Sequence, residues 1–291
     1  MEVKRKPGRP KKEKIKDLDF EYKGIIDRDD DPETIVRIHY NRPMNLRSIL
    51  ELFKEYVCQD ILFVFKKQEL NIFGTDRTKR ILIKVSLNGA DMNTYYAQEK
   101  TISVKLDNLI VCSNAIDKNH DSITIIIKSP SILILELSSH GVVDHFDIHM
   151  TSNVTDEPKI DIKELNEYAL SFSIDSQFLR KRISTMSKIS TDSAIISKEP
   201  NGPLSISFGL KTRVHYECRF ENDTVKENIQ DLIAVPIDLE YIKPIPMVSY
   251  DRLTIFIDHR SPIVFQIDQD TRTNLKIHYA IKTLIIINSF T

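Results

Sequence analysis

Glycine is scarce in this sequence: the 291 residues include seven. A loop that cradles phosphate needs several glycines close together, so that backbone N–H groups can approach the anion. None of Gly74, Gly89, Gly141, Gly202 or Gly209 has a second glycine at that spacing ahead of a helical pattern, which disfavours nucleotide-driven enzymes. The three cysteines, Cys58, Cys112 and Cys218, are isolated and odd in number, so no zinc spacing exists and a reduced, intracellular compartment is expected. There is no run of eighteen apolar residues, hence no expected membrane span or membrane partner. The basic start has no apolar stretch behind it and does not read as a secretory signal. No motif aligns nucleophile, base and orienting group, so the chain reads as a non-enzyme without a cofactor.

What is present begins with charge. Residues 1–16 carry eight basic and two acidic side chains, a net of +6, while the whole chain sums to −1, leaving −7 for residues 17–291. Within this tail, Lys6-Pro7-Gly8-Arg9-Pro10-Lys11-Lys12 resembles an AT-hook, whose Gly-Arg-Pro core lies in a narrow A·T-rich minor groove. The negative potential there attracts the arginine, and flanking lysines meet phosphates. The usual hook has a second arginine where this chain has Pro7, and the same run also reads as a nuclear import signal or a disordered polycation.

Beyond the tail, one pattern appears four times. IVRIHY alternates like a half-buried strand, MNLRSILELFKEYV repeats apolar residues at helical spacing, and DILFVF, ELNIF and RILIKVSL follow as strands. TISVKL leads to a short helix capped at Asp107, then SITIIIK, ILILELSS and DHFDIHM. ALSFSI precedes the helix DSQFLRKRISTMSK, then SAIIS, LSISFG and VHYECRF. LIAVPI precedes a short helix from Asp238, which Pro244 and Pro246 should end early, and then RLTIFID, PIVFQID and LKIHYAI. Four such units predict an internally repeated α+β fold with antiparallel sheets. The polar stretch TSNVTDEPKIDIKELNEY sits between the second and third units and reads as a connector. The expected divisions are a disordered basic tail at 1–23, a first domain at 24–154, the connector at 155–167 and a second domain at 168–291.

Two polar stretches invite a metal reading. In HGVVDHFDIHM, His145, Asp147 and His149 share one strand face, but burial of Phe146, Ile148 and Met150 on the other explains the alternation without a metal. The acidic DRDDDPE loop lacks calcium-hand spacing. No metal site is expected.

The two-plus-two arrangement resembles the sliding DNA clamps of the proliferating cell nuclear antigen (PCNA) family, over roughly residues 33–285. FLRKRISTMSKISTDSAIISKEPNGPLSISFG is similar to that family's basic helix and hairpin, and SYDRLTIFIDHRSPIVFQIDQDTRTNLKIHYAIK to its last hairpin and closing strand. A basic extension ahead of the clamp is also similar to the clamp-like proteins of large DNA viruses. The resemblance implies a two-domain DNA clamp with sheets outside and helices inside. It further implies a head-to-tail homotrimer around double-stranded DNA, acting as processivity factor and tether for DNA polymerase and other replication or repair proteins, with a clamp loader as a possible partner. The expected location is the nucleus or a viral replication compartment. The resemblance makes Val214–Phe220 and Ser122–Lys128 the edge strands that pair between subunits.

A clamp lining attracts phosphates without reading bases, which lysine and arginine on helices supply. Arg180, Lys181, Arg182 and Lys188 on the third helix are the main DNA-binding candidates, and no acid lies between Gln177 and Thr191. Arg47 and Lys54 on the first helix are weaker because Glu51 and Glu55 offset them, and the second and fourth helices offer only Lys118, at its end, and Lys243, beside Glu240. Lys6, Arg9, Lys11 and Lys12 of the tail complete the set. The resemblance also implies an apolar partner-binding pocket by the connector, formed from Ile81, Leu82, Ile160, Ile162, Pro262, Ile263 and Tyr279. Two alternatives remain: a clamp-derived transcription or checkpoint factor, and a monomeric DNA-binding protein that uses the basic tail.

Overall fold

The computed structural model describes residues 24–56, 58–152, 158, 164–189, 193–208, 216–220, 225–227, 229–245, 252–259, 261–269 and 275–281. The tail, most of the connector (with Ile160 and Ile162) and Val57 lie outside them.

In the first half, strands β1 (Gly24–Ile25) and β2 (Val36–Tyr40) precede helix α1 (Pro43–Glu55). Then come β3 (Asp60–Phe65), β4 (Glu69–Thr75), β5 (Ile81–Asn88), β6 (Thr94–Ala97) and β7 (Lys100–Lys105). Helix α2 (Leu106–Ala115) leads to β8 (Ser122–Ile127), β9 (Ile132–Ser139) and β10 (Val142–His149). The second half has β11 (Leu170–Asp175), α3 (Ser176–Ile189), β12 (Ser193–Lys198), β13 (Leu204–Phe208), β14 (Tyr216–Phe220) and β15 (Val225–Glu227). It closes with β16 (Ile233–Asp238), α4 (Leu239–Ile242), β17 (Arg252–Ile257), β18 (Ile263–Gln269) and β19 (Leu275–Ile281).

The helices start and stop for local reasons. Pro43 opens α1, where its missing N–H costs nothing, and Leu46, Ile49, Leu50 and Phe53 bury one stripe. Asp175 accepts the Phe178 N–H at 3.0 Å and so caps α3. At α2 the expectation is corrected: Lys105 occupies the cap position and Asp107 sits inside the first turn, where its charge still favours the helix N-terminus. Helix α4 stops after four residues, as Pro244 and Pro246 lead one to expect.

The strands form a six-stranded sheet ordered β1-β6-β2-β8-β9-β10, a nine-stranded sheet β15-β11-β17-β18-β19-β5-β4-β3-β7, and a four-stranded sheet β14-β13-β12-β16. Every pairing is antiparallel except the two-residue β1–β6 contact. The nine-stranded sheet joins the two halves of the chain, because β19 pairs with β5 from Ile281↔Ile81 to Lys276↔Ser86. Helix ends tie the halves as well: the Tyr56 hydroxyl donates to the Tyr241 carbonyl at 2.6 Å. β1, β6 and β15 are strands that the sequence pattern does not predict; all are short, and a run of two to four residues is too brief to show a period.

One core runs under all the sheets, and its tightness is testable at Gly74 in β4. A Cβ there would lie 2.6 Å from Cε1 of the fully buried Phe53, nearer still to Cδ1, and 3.1 Å from Cys58 Sγ. Neither neighbour has room to retreat. Gly74→Ala is therefore expected to cost about 2–3 kcal/mol by overpacking, read as a lowered urea midpoint with an unchanged m-value.

Candidate nucleic-acid interface and sheet edges

Helix α3 divides its residues cleanly. Leu179, Ile183 and Met186 are buried, while Arg180, Lys181, Ser184 and Lys188 are exposed. The result is a helix face with three cations and no acid. Arg182, expected to belong with them, is placed elsewhere by the structure. Its guanidinium lies 4.5 Å over the Phe178 ring, and Nη1 donates to the Tyr216 hydroxyl at 2.7 Å. It is half-buried, and its Nε has no hydrogen-bond partner among the described residues. Arg182 thus belongs to the junction between α3 and β14, the single step from Lys181 turning about 100° round the helix and off the exposed stripe.

The first-half helices are different. Arg47 donates through Nε to Glu51 at 2.9 Å and through Nη1 to the Ile116 carbonyl at 2.6 Å, so it satisfies the C-terminal end of α2. Lys54 is exposed but shares its helix face with Glu51 and Glu55; α2 exposes Asp107, Asn108 and Val111. Lys118 and Lys243 are exposed, the latter near Glu240. Positive charge on the helices is therefore concentrated in α3.

Among the described residues the six-stranded sheet ends at β10, the nine-stranded sheet at β15 and β7, and the four-stranded sheet at β14. The opposite end of the latter, β16, carries Pro236, which lacks an N–H and is suited to an edge that stays unpaired. The expectation for Val214–Phe220 agrees with β14. The expectation for Ser122–Lys128 is overturned: β8 lies between β2 and β9, and all six of its residues are buried. A continuous apolar run of this kind marks a strand covered on both faces, whereas a half-wet edge alternates. That alternation is on β10, where Ile148 is buried and His145, Asp147 and His149 are exposed. His145 contacts Asp147 at 3.1 Å and Glu136 of β9 at 3.3 Å. Among the described residues no cluster of three metal-ligating side chains exists.

The expected partner pocket is also rearranged. Ile81 and Ile263 are buried in the main core. Leu82 points to the other face of the sheet, where it forms a separate apolar cluster with Leu62, Val64 and Phe73. Pro262 is half-buried and its carbonyl accepts the Tyr168 hydroxyl at 3.0 Å; Tyr279 pairs with Ile83 and Phe265 in the sheet register. The one-residue offset between Ile81 and Leu82 is enough to send them to opposite faces.

Two halves of strand–helix–strands repeats, fused through one continuous sheet, define a two-domain α+β clamp fold of the PCNA type. The structure aligns with a PCNA2–PCNA3 complex from Sulfolobus tokodaii at a TM-score of 0.72 and 15% identity, covering 85% of this chain and 99% of that one. PCNA from Thermococcus kodakaraensis aligns at a TM-score of 0.71 and 13% identity, with the same coverage. In sequence, the chain is 22% identical over 291 residues to an uncharacterized protein of African swine fever virus, covering 92% of this chain and 95% of the relative. The counterpart from a tick isolate of the same virus from Malawi is 23% identical over 294 residues. No protein-family profile matches the chain. No helix among the described residues is long and apolar enough to cross a membrane.

Proposed function

We propose that the protein is a non-enzymatic sliding clamp: three copies close head to tail around duplex DNA, and the ring tethers DNA polymerase and other replication or repair proteins to the template. The observation that carries this reading is the exposed cationic face of α3 on a clamp fold. Arg180, Lys181 and Lys188 supply a sequence-independent attraction for phosphates and no side-chain array for reading bases. A ring needs no more, since topology prevents loss while weak contacts let the duplex slide. Tethering then replaces repeated encounters by an intramolecular one. The nucleus or a viral replication compartment is the proposed location. Lys6, Arg9, Lys11 and Lys12 of the tail are proposed to add loose duplex capture.

The test is retention on DNA of different topology. Full-length protein mixed with nicked circular duplex is expected to survive a high-salt wash and to be released when the circle is cut. Deleting residues 1–16 is expected to weaken initial, salt-sensitive capture while leaving circle retention and the trimer intact. Equal, salt-labile binding to linear and circular DNA would instead favour a plain DNA-binding protein. Loss of the trimer on deletion would place the tail in the assembly.

A further inference from the structure

Three hydroxyl side chains stand close together toward the C-terminal end of α3, and two of them are occupied. Thr185 Oγ1 donates to the Lys181 carbonyl at 3.0 Å and Ser187 Oγ to the Ile183 carbonyl at 2.8 Å, each bonding back one turn. Both residues are half-buried. Ser184 is exposed, and its hydroxyl makes no hydrogen bond among the described residues.

The surroundings of Ser184 are basic on both sides. Arg180 stands four residues before it, Lys181 three before and Lys188 four after, spacings that bring side chains to about 5–6 Å between Cβ atoms. No acid lies between Gln177 and Thr191, so no carboxylate of the helix repels a negative charge placed there. In sequence, Lys181 and Arg182 precede the serine by three and two residues, a charge pattern of the kind kinase clefts select. A kinase reads its target in extended form, and local opening of the helix end supplies it: from Ser184 to Ile189 only Met186 is buried.

We propose that Ser184 is a phosphorylation site whose phosphate switches off the cationic face of α3. The partner is a protein kinase that selects basic sequences, with a nucleoside triphosphate as donor. The serine oxygen bonds to the γ-phosphorus, and the bond from that phosphorus to the bridging oxygen breaks. The hydroxyl proton passes to a carboxylate of the kinase, and the nucleoside diphosphate leaves. Phosphoserine carries about −1.5 to −2 charge near pH 7. It takes Arg180, Lys181 and Lys188 as ion-pair partners within the helix, the same groups that otherwise meet DNA phosphates. The inference rests on the clamp reading and adds a control to it. A duplex lying on α3 covers the serine, so the kinase acts on protein that is off DNA.

The experiment compares full-length wild type with full-length protein carrying phosphoserine installed at position 184 during translation. Each is titrated against labelled duplex at several salt concentrations. The phosphoserine protein is expected to bind at least about tenfold more weakly at roughly 0.15 M salt, its slope of log affinity against log salt lower by about two per engaged copy. Phosphatase should restore both values, and Ser184→Ala should match wild type, with circular dichroism and native mass the same throughout. In a second arm, wild type is treated with cyclic-AMP-dependent protein kinase and magnesium ATP. Label is expected at Ser184 by peptide mass, absent from Ser184→Ala and reduced by prior binding to duplex. An unchanged salt slope in the phosphoserine protein, or no label at Ser184, would overturn the switch. Failure of the clamp reading looks different: unmodified wild type would then hold linear and circular duplex equally.

Discussion

Replacing Arg180, Lys181 and Lys188 together by alanine is expected to abolish detectable DNA binding by the body of the protein at physiological salt. All three are exposed on one face of α3, and the first-half helices offer no compensating charge, because Arg47 is engaged by Glu51 and the Ile116 carbonyl. Each cation that no longer neutralises a phosphate takes about 0.9 from the slope of log affinity against log salt, so three per copy lower the slope by up to about three per bound copy. The corresponding drop in affinity at about 0.15 M salt is on the order of a hundredfold or more for each copy engaged. Stability should change by less than about 0.5 kcal/mol per substitution, since the groups are exposed. Arg47→Ala should show the opposite pattern, with lower stability and little change in DNA binding. Titration of a tail-deleted protein against labelled duplex at several salt concentrations measures both. An unchanged slope in the triple variant would remove α3 from the interface.

The second large effect is alkaline. Burial pushes the Cys58 thiol from its ordinary 9.0 up to about 12, with the charge of Asp76 adding to the shift. Burial, helped by Asp258, pushes the Tyr168 hydroxyl up from 10.0 to about 12, and burial raises Tyr95 further still. Tyr95 is fully buried and its hydroxyl lies 2.6 Å from both the Lys66 and Glu69 carbonyls, so the neutral form is the one the fold holds. The unfolded chain ionises these groups near their ordinary values while the folded chain keeps them protonated. Their stabilising contribution is therefore complete below about pH 9 and is lost as pH rises toward about 12. Each such group lowers stability by about 1.4 kcal/mol per pH unit in that window. By about pH 11 the three together cost roughly 5 kcal/mol. Urea midpoints measured from about pH 8 to 11 should fall steeply, and Cys58→Ala with Tyr95→Phe should flatten the curve from a lower starting stability. A flat wild-type curve would show that these groups ionise in the folded protein.

Much of this fold is visible in the sequence. The repeat order predicts the positions of α1, α3 and most strands because each side chain faces either core or water, and the 2.0 and 3.6 periods record which. The α3 cations are legible for the same reason: Leu179, Ile183 and Met186 define the buried stripe and leave Arg180, Lys181 and Lys188 outside it. Arg182 is not separable from them by pattern. Its position follows from a Tyr216 hydroxyl and a Phe178 ring, the former 34 residues away. Arg47 is similar, since its partner carbonyl at Ile116 is 69 residues distant. The apolar cluster with Leu82 likewise combines three strands whose order no local pattern states.

The sequence by itself determined the element types, the two-plus-two repeat, the antiparallel character of the sheets and the charge contrast between tail and body. These are local quantities, set by periodicity, caps, prolines and composition. Only the tertiary structure decided that β19 closes onto β5 to join the halves, that β10 and not β8 ends the six-stranded sheet, and that Arg182 turns to Phe178 and Tyr216, off the exposed face of α3. Those choices depend on which strands find each other across long loops. A strand's pattern tells how many of its faces are buried, but its neighbour is fixed only when the whole set of sheets packs around one core.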